Sequence, residues 1–142
     1  MSTDTLQPID FGALTKRGVT AYVPALAVNL VLAWTLLRFE LVGSTEFLQY
    51  PPIVLWTTVG VVGATIVYGV LTRRSEAPEE TFVRIAVAVL LLSFLPDIGL
   101  ALFVDSVTAS EAIGLMTLHV PPAVASIVLL PGRSRPDGER DI

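Results

Sequence analysis

Four long runs of residues with almost no charge constrain the fold of this chain more than any other feature. The runs are Val19–Leu37, Pro51–Thr72, Ile85–Val104 and Ala112–Pro131. The first two contain no Asp, Glu, Lys, Arg or His, and the other two contain one such residue each, Asp97 and His119. A helix needs about 20 apolar residues to cross a hydrocarbon core about 30 Å thick. A helix of a soluble protein would instead show a polar stripe at helical period. The pattern therefore predicts four transmembrane helices.

The predicted fold class is all-α, a four-helix transmembrane bundle with short loops. Only helices and closed barrels satisfy the backbone in lipid, and these runs are too long and too uniformly apolar for barrel strands. We expect a cytoplasmic N-terminal segment over residues 1–18, a membrane domain over 19–131 and a flexible cytoplasmic tail over 132–142. The four spans are expected at 19–37, 51–72, 82–104 and 109–131.

The composition supports this class and excludes several others. Hydrophobic residues make up 53% of the chain and charged residues 15%, against roughly 45–50% and about 25% in soluble domains. The chain has no cysteine, which excludes disulfide scaffolds, thiol redox chemistry and cysteine-based zinc sites. It has no basic stripe of the kind that binds nucleic acid.

The basic residues predict the orientation in the membrane. Eight of the nine Lys and Arg residues flank the spans on one side, and only Arg38 lies on the other. The eight are Lys16, Arg17, Arg73, Arg74, Arg84, Arg133, Arg135 and Arg140. Because short cytoplasmic segments carry the excess of Lys and Arg, both termini are expected in the cytoplasm. The expected localisation is a cell membrane, as a multi-pass protein.

Two short motifs predict where helices begin. Pro78 followed by Glu79 and Glu80 is typical of a first helical turn, where proline is tolerated and acids face the positive end of the helix dipole. Thr108 and Glu111 have the spacing of a capping box. We therefore expect the third and fourth helices to begin at these sites.

Polar residues inside the spans are the candidate site. Asn29, Asp97 and His119 fall at similar heights, roughly 16–20 Å from the cytoplasmic end at the helical rise, and Ser93 lies one turn before Asp97. An ionisable group at mid-bilayer costs about 2.5–3.5 kcal/mol on insertion scales, so it usually marks a pathway or a partner. These four residues form a predicted intramembrane polar cluster.

Asp97 and His119 are expected to face each other. The loop 105–111 joins the third and fourth helices, and the two residues are equally spaced on either side of it. Symmetric spacing about a hairpin places them at nearly equal depth, roughly 12 Å below the outer surface.

A purely structural role explains many of these residues equally well. Polar side chains join membrane helices by hydrogen bonds worth about 0.6–2 kcal/mol. Serine and threonine also bond back to their own helix, as the threonines of the second span could do. In that span, Gly60, Ala64 and Gly69 are spaced for close helix packing.

Two segments resemble a family of uncharacterised small four-helix membrane proteins. They are Leu91-Leu-Ser-Phe-Leu-Pro-Asp97 and His119-Val-Pro-Pro-Ala-Val-Ala125. Members of that family have a similar S-F-x-P-D element on the third span and a histidine on the fourth, and the similarity extends from about Val19 to Pro131. The resemblance implies the four-helix architecture and draws attention to Asp97 and His119, but it implies no activity.

Three functions remain open. The first is a non-enzymatic membrane subunit or scaffold that associates with itself or with another membrane protein. The second is a transporter or channel-like carrier of a proton, an ion or a small solute, with Asp97 as the protonated site and His119 as its partner. The third is an enzyme acting on a lipid or quinone; it ranks last because we find no nucleophile paired with a base. No catalytic residue, cofactor or metal ligand is predicted.

Overall fold

The computed structural model describes residues 10–43 and 48–131, and within them it contains four α-helices. They are α1 (Phe11–Arg38), α2 (Tyr50–Arg74), α3 (Pro78–Phe103) and α4 (Ala109–Leu129). Each is long and apolar enough to cross a membrane. The all-α class and the four helices are thus confirmed. The predicted tail 132–142 lies outside the described residues.

The predicted starts of α3 and α4 are confirmed. Pro78 occupies the first turn of α3, with Glu79 and Glu80 beside it. At α4, the Thr108 side chain accepts a hydrogen bond from the Glu111 N–H, and the Glu111 carboxylate accepts one from the Thr108 N–H at 2.6 Å. This reciprocal arrangement satisfies two amide groups that a helix N-terminus otherwise leaves unpaired.

Helix α1 begins well before the span predicted for it. Its N-cap is Asp10, whose carboxylate accepts a hydrogen bond from the Ala13 N–H at 3.0 Å. Because the cap starts the helix at Phe11, much of the expected N-terminal segment 1–18 is helical. Lys16 and Arg17 therefore lie on α1, and the Arg17 guanidinium donates to the carbonyl of Leu130 at 3.4 Å. That bond ties the start of α1 to the end of α4.

The helices form a bundle in which α4 is the most extensively packed. Helix α4 packs against α1 and α3, and α1 packs against α2. Helix α2 makes smaller contacts with α3 and α4. Helix α3 is the least covered, since Phe82 and Asp97 are its only buried residues. Most of its apolar side chains, such as Leu91, Leu95 and Leu102, are exposed on the outside of the bundle.

Small residues on α1 bring the helices together. Ala21, Ala25, Asn29 and Ala33 are spaced four apart and are all buried. Such a stripe lets neighbouring helices approach closely. Two clusters of buried apolar residues fill the space around it. One consists of Ala21, Ala25, Val61, Tyr68, Phe82 and Leu130, and the other of Ala33, Val42, Leu48, Ile53, Leu115 and Leu118.

The predicted packing residues of α2 differ in how tightly they pack. Gly69 is buried, and a Cβ atom there would lie 2.6 Å from Leu14 of α1. Ala64 is partly buried against the first cluster. Gly60 is looser, because a Cβ atom there would meet only Pro122 of α4, at 4.0 Å.

Candidate functional site

Asp97 and His119 face each other across the α3–α4 hairpin. The His119 Nδ1 atom lies 3.4 Å from the Asp97 Oδ2 atom. The symmetric spacing about the loop thus correctly predicts that the two residues meet. Asp97 is 5% exposed, and its Oδ2 atom has no hydrogen bond in the described part of the chain. A buried carboxyl oxygen of this kind is stabilised chiefly by its nearest polar neighbour, here the imidazole.

The backbone of α4 fixes the orientation of the imidazole. His119 Nδ1 lies 2.8 Å from the carbonyl oxygen of Leu115, one turn earlier. A carbonyl can only accept a hydrogen bond, so Nδ1 must carry the hydrogen. The Asp97 Oδ2 atom lies 3.4 Å from the same nitrogen without a hydrogen bond to it among the described residues. This assignment of the tautomer follows from the hydrogen-bond partners.

The other imidazole nitrogen, Nε2, faces out of this network. The His119 side chain is 36% exposed, and none of the hydrogen bonds among the described residues involves Nε2. The Phe94 ring packs against the imidazole at a right angle, with the ring centroids 6.4 Å apart. Asp97 and Phe94 lie on the same side of α3, one turn apart. Together they hold the imidazole from one side and leave Nε2 accessible.

Asn29 has a different partner. Its amide donates a hydrogen bond to the hydroxyl oxygen of Thr57 on α2 at 2.8 Å, and both residues are buried. The Asn29 carbonyl oxygen is buried without a hydrogen bond. Among the residues described, no hydrogen bond joins Asn29 to Asp97 or His119. The expected cluster is therefore divided into a pair between α3 and α4 and a pair between α1 and α2.

Ser93 and several threonines bond to their own helices. The Ser93 hydroxyl donates to the Leu90 carbonyl at 2.7 Å, so it does not reach Asp97. Thr65 and Thr72 of α2 donate to Val61 and Gly69 in the same way. Thr58 bonds to Val54 and also lies 3.0 Å from the Tyr22 hydroxyl of α1. Hydrogen bonds of this kind, within one helix, are what the structural interpretation of these residues predicts.

Two positions, Thr57 and Gly18, were not anticipated from the sequence. Thr57 is the partner of Asn29. Ser126, on the same side of α4 as His119, is buried, and its hydroxyl has no hydrogen bond within the described chain. Gly18 packs against Thr65, where a Cβ atom would lie 2.9 Å from the hydroxyl oxygen. The four-residue spacing of Ala21, Ala25, Asn29 and Ala33 was the available signal for a tightly packed α1.

The site contains few groups that could hold a metal ion. Within the described residues, no group of three or more His, Cys, Asp or Glu side chains lies close enough to bind one. A zinc site needs three or four such ligands. The arrangement suits hydrogen bonding and proton exchange at one imidazole.

Comparison with known proteins identifies the family of the chain. No curated protein and no solved structure matches it. One family model, described as a family of unknown function (DUF6069), matches residues 10–136. This range includes all four helices and both members of the Asp97–His119 pair. The chain therefore belongs to this family of unknown function.

Proposed function

We propose that this chain is a multi-pass membrane protein with both termini in the cytoplasm. Its four apolar helices support the membrane location. The hydrogen bond between Arg17 and Leu130 brings the start of α1 and the end of α4 to one end of the bundle. Arg73 and Arg74 end α2 at that same end, whereas Arg38 lies at the opposite one. The excess of basic residues at one end supports a cytoplasmic assignment for it.

Within the membrane, we propose that the protein is a non-enzymatic subunit whose α3 binds a transmembrane helix of a neighbouring subunit. The observation that carries this proposal is the exposure of α3. It has 26 residues, yet only Phe82 and Asp97 are buried. Helix association in lipid depends on packing between helices rather than on the hydrophobic effect. A second helix laid along α3 would supply packing that this chain does not provide.

Site-specific photocrosslinking tests the proposal. A benzophenone amino acid replaces Leu95 on α3 or, as the control, Val31 on α1; these residues are 59% and 63% exposed. The protein is irradiated in native membranes. We expect one discrete protein adduct from position 95 and none from position 31. Lipid adducts alone at both positions would contradict the proposal. The mass of the adduct distinguishes a second copy of this chain from a different subunit.

The Asp97–His119 pair supports a second candidate, a carrier of protons or small cations. A buried carboxyl beside an imidazole, with 3.4 Å between Oδ2 and Nδ1, can bind and release a proton inside the membrane. In reconstituted vesicles, a carrier would give an ion flux that Asp97→Asn abolishes. Ser93→Ala is the matched control, because its hydroxyl bonds only to its own helix. An equal flux in wild type and Asp97→Asn would eliminate this candidate.

A further inference from the structure

We propose that His119 is a binding site for an apolar molecule that carries a hydroxyl group and dissolves in the bilayer. The hydroxyl would donate a hydrogen bond to Nε2 of the imidazole, while Asp97 and Leu115 hold the ring from the other side. This inference goes beyond the subunit role. It rests on three features of the site.

The first feature is the fixed direction of the imidazole. Its Nδ1 atom donates a hydrogen bond to the Leu115 carbonyl at 2.8 Å and lies 3.4 Å from the Asp97 carboxyl. A neutral imidazole with its hydrogen on Nδ1 has a lone pair on Nε2. In that form, Nε2 is a hydrogen-bond acceptor.

The second feature is the position of Nε2 at the edge of the bundle. His119 lies one turn after the buried Leu115 and seven residues before the buried Ser126, on the inward side of α4. Its side chain is nevertheless 36% exposed. The outward residues of α4, such as Ile113 and Val128, lie on a different side. The accessible part of the imidazole thus opens beside α3 rather than on the outer face of α4.

The third feature is the apolar surrounding of this opening. The Phe94 ring stands edge-on to the imidazole, and Leu91, one turn before Phe94 on α3, is exposed. Lipid chains have no donor for Nε2, and an unpaired acceptor is costly in hydrocarbon. An apolar body would pack against Phe94 and Leu91, and a hydroxyl would donate to the lone pair. A phenol matches both requirements, because it combines an apolar ring with a hydroxyl group.

The experiment uses the fact that His119 is the only histidine of the chain. The protein is labelled with ¹⁵N-histidine, reconstituted in vesicles and titrated with para-hexylphenol or with its methyl ether, which cannot donate a hydrogen bond. We expect the phenol to shift the Nε2 resonance in a saturable way and the ether to leave it unchanged. Equal shifts with both compounds, or no shift with either, would overturn the proposal.

Two variants test the positioning role of Asp97. Asp97→Ala removes the carboxyl that lies 3.4 Å from Nδ1. We expect the half-saturating phenol concentration to rise about tenfold, the lower end of the loss typical when the partner that orients a metal-bound histidine is removed. Ser93→Ala should bind phenol as the wild type does. If Asp97→Ala does not fold, the comparison between phenol and ether in the wild type still decides the question. An unchanged half-saturating concentration in folded Asp97→Ala would refute the role of Asp97.

Discussion

At the scale of single residues, two of the polar contacts between helices include a buried polar side chain. Asn29 joins α1 to α2 through Thr57, and His119 joins α4 to α3 through Asp97. Each contact places polar atoms where neither water nor lipid can replace the partner. Loss of either contact should therefore cost more stability than loss of a hydroxyl group that bonds to its own helix.

Replacement of Thr57 with Val should destabilise the protein. Val has a similar shape but cannot accept the hydrogen bond from Asn29, so the buried amide loses the one partner that it has among the described residues. We expect the free energy of unfolding in detergent to fall by about 1–2 kcal/mol. Thr72→Val is the control, because Thr72 is exposed and bonds to Gly69 in its own helix. Equal losses in the two variants would contradict the assignment of Thr57.

Asp97→Ala should cost more stability than Ser93→Ala. The first change removes a buried carboxyl that contacts another helix, and the second removes a hydroxyl that bonds to Leu90 in its own helix. We expect a loss of about 1.5–3 kcal/mol for Asp97→Ala and less than about 0.5 kcal/mol for Ser93→Ala. Unfolding in a denaturing detergent series measures both. A reversed order would show that Asp97 is not stabilised by His119.

The sequence predicts one of the two contacts and misses the other for a physical reason. Asp97 and His119 are tied to the same short loop, so their spacing alone determines that they meet. Asn29 and Thr57 lie on either side of the longer connection between Arg38 and Tyr50, so their spacing does not determine their relative height. Which hydroxyl of α2 meets Asn29 depends on the rotation of α2, which packing decides and local sequence does not.

At the scale of the helices, small residues determine how closely α1 and α2 approach. Gly18 of α1 lies against Thr65, and Gly69 of α2 lies against Leu14. The spacing of small residues on α2 predicted Gly69, but it gave no indication of Gly18 because the first span was expected to begin after it. The cap at Asp10 accounts for the difference, since it adds helical turns that carry polar residues.

Gly18→Ala should therefore destabilise the bundle, whereas Gly63→Ala should not. A Cβ atom at position 18 would lie 2.9 Å from Thr65 Oγ1 and 3.1 Å from Thr65 Cγ2, and a threonine side chain has little freedom to move. At position 63 no atom lies within 4 Å of the added carbon. We expect a loss of about 1–3 kcal/mol for Gly18→Ala, measured by unfolding in detergent. Equal stability of the two variants would contradict the close contact.

At the scale of the whole molecule, the bundle has one well-covered helix and one poorly covered helix. Helix α4 packs against all three others, whereas α3 contributes only Phe82 and Asp97 to the interior. The run lengths and charges were sufficient to predict four spans. They did not predict the poor coverage of α3, because every span is apolar on all sides and no polar stripe marks the face that packs.

The proposed orientation predicts which loops are accessible from outside the cell. The chain has no cysteine, so single cysteines can be introduced without background. Asp105→Cys in the α3–α4 loop should react with a membrane-impermeant maleimide in intact cells. Glu76→Cys in the α2–α3 loop should react only after permeabilisation. Labelling of position 76 in intact cells would place the basic end outside and refute the orientation.

The central claim is that Asp97 and the Leu115 carbonyl hold the His119 imidazole with its hydrogen on Nδ1. The ¹⁵N spectrum of the single histidine in lipid bilayers, with no added ligand, tests it most directly. We predict that Nδ1 carries a hydrogen, because it lies 2.8 Å from the Leu115 carbonyl oxygen, which can only accept a hydrogen bond. A spectrum with the hydrogen on Nε2 and an unprotonated Nδ1 would contradict the account.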